Sequence, residues 1–466
     1  MLPIQLGKSD PIYQKFFKNE VNSTFIDYPA GGIMFQYDGH PRGVASELRV
    51  LGIAGDVTAC GHFRTKYPLM VLASQGAKVC ARVVLKDCPL TAEELYFANV
   101  IILQRAADPT LRSFVEKIAR LTKATVIYDL DDYLHGVSSK SPAFTVYNTN
   151  TKQGQSVLTT ISDFLGGVHG VTFSTRELQA AYSKDVDYSH VLVNGLDITL
   201  GDRDWDDTKP KYDWRSVAES TGCAVDSDSL LFMFAGGSTH SEDLEQLGSS
   251  IAEILAKTKN SFFGICTNPH LAKSFCVDKW NLPLDRIVSI PTTQFKDFPQ
   301  IWSASDINIA PLSNTVFNQC KSNLRLLEGG AFSTPYVCSK VASYFRFHQE
   351  TEGKAGELVL PGQNFAPGTI KLLQNKDLRE EKGAFIREYV RANYDIRKTM
   401  GSLVYTINAI EEKRYGKLAL PSFLDIQDAV HNRPRMTVPL QAKDKCPCGS
   451  GKQYKRCMCA PAYGRV

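Results

Sequence analysis

Asn318-Gln319-Cys320-Lys321-Ser322-Asn323-Leu324-Arg325-Leu326-Leu327-Glu328-Gly329-Gly330-Ala331-Phe332-Ser333-Thr334-Pro335-Tyr336-Val337-Cys338-Ser339 decides how this chain folds. The apolar run before it reads as a strand that ends at Ala310-Pro311-Leu312. A loop follows, a helix opens near Lys321–Asn323, and a short strand begins at Pro335. Strand, helix and strand in that order form the crossover unit of a parallel sheet. The opening of the helix, with Asn318 before it and Ser322 and Asn323 on it, offers free N–H groups and the positive end of a dipole to a phosphate. Lys321 adds a cation. Glu328 lies two turns on, on the face of Lys321, where a carboxylate could accept from two ribose hydroxyls; the bland reading is a solvated helix position.

The same alternation extends in both directions. Strand-like runs stand at Leu48–Ala54, Ala77–Leu85, Asn99–Gln104, Ala124–Tyr128, Gly170–Ser174 and His190–Val193, with helical patterns such as Pro109–Leu121 between them. After Thr199–Tyr212, a linker rich in Asp, Lys and Trp, the pattern restarts at Ser229–Phe234 and runs through Ser261–Cys266, Arg286–Ile290, Asp306–Ala310 and Pro335–Cys338. The expected fold is α/β, with two tandem Rossmann-like domains over 1–200 and 213–415. A tether at 416–440 and a small tail at 441–466 follow. Such domains bind ligands at the carboxyl ends of their strands, and the sequence predicts a cleft there.

Leu327-Glu328-Gly329-Gly330-Ala331-Phe332 and Thr334-Pro335-Tyr336-Val337-Cys338-Ser339 resemble the donor-domain motif of the group 1 family of retaining, sugar-nucleotide-dependent glycosyltransferases, which have the GT-B fold. Asp306–Leu312 before it, and Ile386-Arg387-Glu388-Tyr389-Val390 with Tyr394 after it, extend the likeness. The resemblance implies that Glu328 binds the donor ribose and that the amides of 320–324 hold the diphosphate. It also implies transfer with no obligatory metal. Family members with a full acidic pair carry a second Glu eight residues earlier, where this chain has Cys320; Asn318 or Lys321 would then substitute for it.

Other motifs extend this reading. Gly236 and Gly237 follow the strand at Ser229–Phe234; they permit close approach to a phosphate, and His240 would supply a basic group there. A tight strand-to-helix turn is the alternative. Asp129, Asp131 and Asp132 cluster at a strand end in the first domain. They read either as acceptor-side groups, with Asp131 in the chemical step, or as helix caps. Their Asp-x-Asp look also suits a metal site of the GT-A type, against which the tandem organisation argues. Arg64, after the first strand, is a candidate to stabilise the departing diphosphate; Arg105, at another strand end, is a second.

Cys446-Pro447-Cys448, eight residues, and Cys457-Met458-Cys459 can close four thiolates around one Zn²⁺. The stretch resembles the zinc motif at the end of the SecA translocation ATPase, the SEC-C motif. Lys443, Lys445, Lys452, Lys455, Arg456 and Arg465 make the tail basic. They either offset the thiolates or dock an acidic partner such as nucleic acid or protein. A net charge of +4 over 466 residues implies no nucleic-acid partner by itself. The other cysteines read as core thiols of a reduced compartment. No signal peptide or run of about 18 apolar residues is present, so a cytoplasmic enzyme without a membrane span is expected. The reading is a glycosyltransferase with a nucleotide-sugar donor and an unspecified acceptor: a polysaccharide precursor, a protein or a modified nucleic-acid base. A degenerate GT-B adaptor and a sugar-nucleotide epimerase share the architecture.

Overall fold

The computed structural model describes residues 33–415, apart from 40–41, 85–89, 201–202, 206, 208–210, 294 and 296, together with Pro11 and Lys15. The tether and the four tail cysteines lie outside the described residues. The chain divides into two compact units. The first takes its described residues from 27–132, 149–203 and from 394 onward; the second takes them from 1–26, 133–148 and 204–393.

The first unit is built on a seven-stranded sheet in the order β1-β3-β2-β4-β5-β6-β7. Its strands are β1 (Ile33–Asp38), β2 (Arg49–Ala54), β3 (Lys78–Val83), β4 (Val100–Gln104), β5 (Thr125–Leu130), β6 (Gly170–Phe173) and β7 (Ser189–Val191). β2 to β7 run parallel, and β4 and β5 are buried along their whole length, as expected for strands covered on both faces. β1 pairs antiparallel with β3 at the edge. The sequence reading misses it because its half-exposed Ile33–Asp38 makes no continuous apolar run. Helix α1 (Pro109–Thr122) starts as its sequence predicts. Asp108 accepts from Leu111 N at 2.7 Å, Pro109 fills the first turn, and Lys123 ends the helix at φ 59°. Helix α2 (Lys152–Gly167) is capped by Thr151.

The boundary 213–415 puts the last helix, Leu403–Tyr415, with the second domain; its contacts put it in the first unit. Ile410 packs over Gly170, where a Cβ would lie 2.6 Å from its Cδ1. Thr125 Oγ1 donates to Glu411 at 2.8 Å, and Arg414 donates to the Ala124 carbonyl at 2.7 Å. The helix thereby covers the amino-terminal ends of β5 and β6.

The second unit holds a six-stranded, all-parallel sheet in the order β10-β9-β8-β11-β12-β13. Its strands are β8 (Leu230–Ala235), β9 (Ser261–Cys266), β10 (Ile287–Ile290), β11 (Ile307–Ala310), β12 (Tyr336–Ser339) and β13 (Gly356–Val359). This is the doubly wound order, in which the winding reverses between β8 and β11. Phe232, Phe234, Ile265, Ile309 and Val337 anchor its core. The linker read at Thr199–Tyr212 is more than a tether. Its Trp205 is 0% exposed and lies against Phe332, ring centroids 6.3 Å apart. In the first sheet the reversal falls between β2 and β4. Each sheet thus has one place where loops diverge and leave room for a ligand.

Candidate functional site

In the second unit the loops after β8 and β11 flank the reversal. The loop after β11 makes a turn of helix, α3 (Val316–Gln319), capped by Thr315, before α4 (Leu324–Gly330) begins. The amides of Cys320 and Lys321 donate to the carbonyls of Phe317 and Asn318, each at 3.2 Å. They therefore do not open the main helix, as the sequence reading expects; that helix starts three residues after Lys321. Leu326 and Leu327 anchor α4 in the core. Gly330 lets it approach α5 (Lys376–Asn393), where a Cβ would meet Ile386 at 2.8 Å. Asn308 Nδ2 donates to the Arg325 carbonyl at 2.8 Å and ties α4 to β11.

Two buried ionisable side chains result. Arg325 is 9% exposed and Glu328 7%. They sit three positions apart on α4, yet no ion pair or side-chain hydrogen bond joins either one to any of the described residues. The Arg325 guanidinium lies 5.0 Å from the Phe234 ring centroid, and its Nη1 is buried without a partner. Burial pushes the Glu328 carboxyl up to about 8, with Arg325 opposing the shift. Burying a guanidinium with one nitrogen unpartnered costs free energy that an anion at this position would offset. Arg325 escapes the sequence reading, although the spacing Lys321–Arg325–Glu328 repeats every three to four residues on one helical face. Lys321 stacks its ammonium 4.5 Å from the Phe317 ring.

After β8, Gly236 leaves room for Arg325: a Cβ there would lie 2.8 Å from Nη2 and 3.1 Å from His240 Cδ2. Gly237 is exposed with open space around it. Asp243, also missed, gathers this region. Its Oδ1 accepts from Ser313 N at 2.8 Å and from Asn318 Nδ2 at 2.7 Å; its Oδ2 meets His240 Nδ1 at 2.6 Å. The signal in the sequence is His-x-x-Asp at a helix start. His240 does not act as the basic group expected of it. Burial, then Arg325, lowers its pKa to about 4, with Asp243 opposing the shift, and the ring stays neutral. Both N–H groups of Asn318 are committed, to Asp243 and to the Ser313 carbonyl. The structure thus brings together Gly236, His240, Asn318 and Glu328 of the predicted residues, and adds Arg325 and Asp243.

The first unit shows the opposite arrangement. Arg64 is 1% exposed and forms a bidentate pair with Asp129, Nε–Oδ1 2.9 Å and Nη2–Oδ2 2.7 Å. Its Nη1 donates to the Leu192 carbonyl and to Asn194 Oδ1, and Thr172 Oγ1 donates to Asp129 at 2.6 Å. Arg64 and Asp129 are thus committed inside the unit, and neither is available to a diphosphate or an acceptor. Arg105, at φ 49°, points its guanidinium at Asp131 (2.7 Å) and Asp132 (2.9 Å). Burial raises the Asp131 pKa, and Arg105 opposes that shift.

No curated protein sequence matches the chain. Solved structures do. Sucrose-phosphate synthase from Thermosynechococcus elongatus superposes with a TM-score of 0.52 at 13% identity, over 78% of this chain and 99% of its own. Anabaena HepE, solved with UDP-glucose, gives 0.54 at 12% identity over 78% of this chain and 100% of its own. A glycosyltransferase from Rickettsia africae gives 0.54 at 12%, over 78% and 99%. The fold is GT-B. This GT-B chain also matches the SEC-C motif over residues 443–461, which contain all four tail cysteines. No helix among the described residues of the GT-B units is long and apolar enough to cross a membrane.

Proposed function

We propose that this chain is a glycosyltransferase that takes a sugar from a nucleoside diphosphate, with the donor held by the second unit. Arg325, with its Nη1 buried and unpartnered, and Glu328, buried three residues on along the same helix at the reversal of the sheet, carry the reading. A nucleotide sugar completes both. Its diphosphate gives Arg325 and Lys321 an anion, and its ribose diol gives Glu328 two hydroxyl donors. HepE's complex with UDP-glucose supports a uridine nucleotide as the first donor to try. In transfer, the bond from the anomeric carbon to the phosphate oxygen breaks and its electron pair stays with the diphosphate, whose charge Arg325 and Lys321 offset. An acceptor hydroxyl oxygen forms the new bond to that carbon, and its proton passes to the departing diphosphate oxygen. Two fixed cations supply this counter-charge without a divalent ion, and retention of configuration follows the family resemblance. In the first unit we assign acceptor handling to Asp131 and Asp132, oriented by Arg105, and we leave Arg64 and Asp129 out of the site. The tail's Cys446, Cys448, Cys457 and Cys459 form a soft four-sulfur set suited to structural Zn²⁺.

A thermal-shift panel of UDP-, GDP- and ADP-sugars tests the proposal. One or more should stabilise the wild-type protein, and Glu328→Gln should weaken that ligand by about 1–3 kcal/mol, the cost of losing charged hydrogen bonds. No shift with any member of the panel would contradict the donor assignment. Elemental analysis of chelator-free protein should give one zinc per chain, lost in Cys448→Ser.

A further inference from the structure

His240 is positioned for a different task from the cations beside it. Asp243 Oδ1 accepts from Ser313 N and from Asn318 Nδ2, and its Oδ2 lies 2.6 Å from Nδ1 of the His240 ring. A backbone N–H and an amide NH₂ can only donate, so Oδ1 accepts twice, and such donors favour the ionised carboxylate. Burial alone would raise its pKa; hydrogen bonds from His240 and Ser313 hold it below the ordinary value. The imidazole nitrogen facing that carboxylate must carry the proton. In a neutral ring the other nitrogen, Nε2, then presents a bare lone pair. Nε2 has no partner among the described residues. The ring edge at Cδ2, the carbon bonded to Nε2, shares the space over Gly236 with Arg325 Nη2. Phe234 packs edge-on against the ring, centroids 6.5 Å apart, and limits its rotation.

We infer that Asp243 fixes His240 as a hydrogen-bond acceptor, and that Nε2 receives a hydroxyl of the donor's glycosyl group while Arg325 beside it takes the phosphate. The inference rests on the donor reading above. A lone pair repels a phosphate oxygen, so Nε2 cannot serve the diphosphate. A glycosyl phosphate places an anion and hydroxyl-bearing carbons side by side, which suits a guanidinium next to a lone pair. His240 is then a specificity residue that favours nucleotide sugars over free nucleoside diphosphates, and Asp243 is its positioning residue. The charged groups around the ring are Arg325, Lys321 and Asp243.

Two measurements on the full chain decide it. Nitrogen-15 histidine spectra of the unliganded protein, assigned by loss of one signal in His240→Gln, should show a neutral ring protonated at Nδ1 from about pH 5.5 to 8. Asp243→Asn should reverse the protonated nitrogen. A ring protonated at Nε2, or one that titrates near its ordinary value, would overturn the inference whatever the protein binds. Calorimetry then uses UDP-glucose, GDP-mannose and ADP-glucose with UDP, GDP and ADP. For the sugar nucleotide bound by wild type, His240→Ala should lose about tenfold in affinity while the parent diphosphate changes less than about threefold. Gln at 240 should recover part of the loss, and Lys should recover none. Equal losses for both ligands, or tighter binding with Lys, would show a phosphate contact and overturn the inference. Wild type binding none of the six would remove the donor reading and with it this hydroxyl role, while the spectra still decide the tautomer.

Discussion

Both units bury an arginine and a carboxylate near the carboxyl ends of parallel strands, and they treat these groups in opposite ways. In the first unit Arg64 and Asp129 answer each other through two bonds, and Thr172 and Asn194 meet further polar atoms of the pair. In the second unit Arg325 and Glu328 stand three residues apart on α4 and make no such pair. The first arrangement satisfies burial internally, and so contributes to holding β2, β5 and the segment after β7 together. The second leaves the Arg325 Nη1 buried without a partner and pushes Glu328 towards its neutral form, a costly arrangement that a ligand would relieve. The same residue types therefore serve architecture in one unit and binding in the other. Geometry, not composition, makes the distinction.

The largest effect should come from breaking the internal pair. Arg64→Met strands Asp129 in the core of the first unit and should cost about 3–5 kcal/mol, read as a lower denaturant midpoint. A cost below about 1 kcal/mol would mean that the pair is not structural. Arg325→Met keeps the contact with Phe234 and should leave the unliganded protein as stable as wild type or more so. Nucleotide-sugar affinity should fall by about 2 kcal/mol, roughly thirtyfold, because charged hydrogen bonds to the diphosphate are lost.

Glu328 sharpens the contrast through pH. Its pKa is raised in the folded protein, from 4.5 to about 8. The unfolded carboxyl therefore gives up its proton first, and unliganded stability should fall as pH rises from about 4.5 to 8 and then level off. Glu328→Gln should lack that slope in thermal unfolding; an unchanged slope would assign it elsewhere. Hydroxyl donors favour the carboxylate, so wild-type affinity for the donor should rise over the same window. The smallest effect belongs to Asp132→Asn. Arg105 keeps Asp131 at 2.7 Å, so the unit should lose less than about 1 kcal/mol.

Much of the architecture was legible in the strands. Runs such as Ser261–Cys266 and Val100–Gln104 are continuously apolar because both sheet faces are covered, and that pattern needs no partner to be read. β1 and β13 were not legible, because Gln36, Asp38 and Glu357 interrupt their partly exposed runs, whereas the other edge strands, β7 and β10, were read. Glu328 was legible through its motif; the expected helical offset from Lys321 fails, because the helix begins at Leu324. Helical spacing puts Arg325 on the face of Glu328, but its burial over Phe234 depends on packing that the local sequence does not carry. The commitment of Arg64 to Asp129 joins positions 65 residues apart, and the anchoring of His240 and Asn318 by Asp243 spans up to 75. Such pairings depend on the folded sheet. For the same reason His240 looked basic in sequence and is neutral in its buried setting.

Thermal unfolding of wild type, Arg325→Met and Glu328→Gln, each with and without saturating nucleotide sugar, tests the central claim most directly. The account predicts that both variants match or exceed wild type when unliganded, and that the ligand-induced rise in midpoint is smaller in both. Variants that unfold early without ligand, or that keep the full ligand-induced rise, would contradict it.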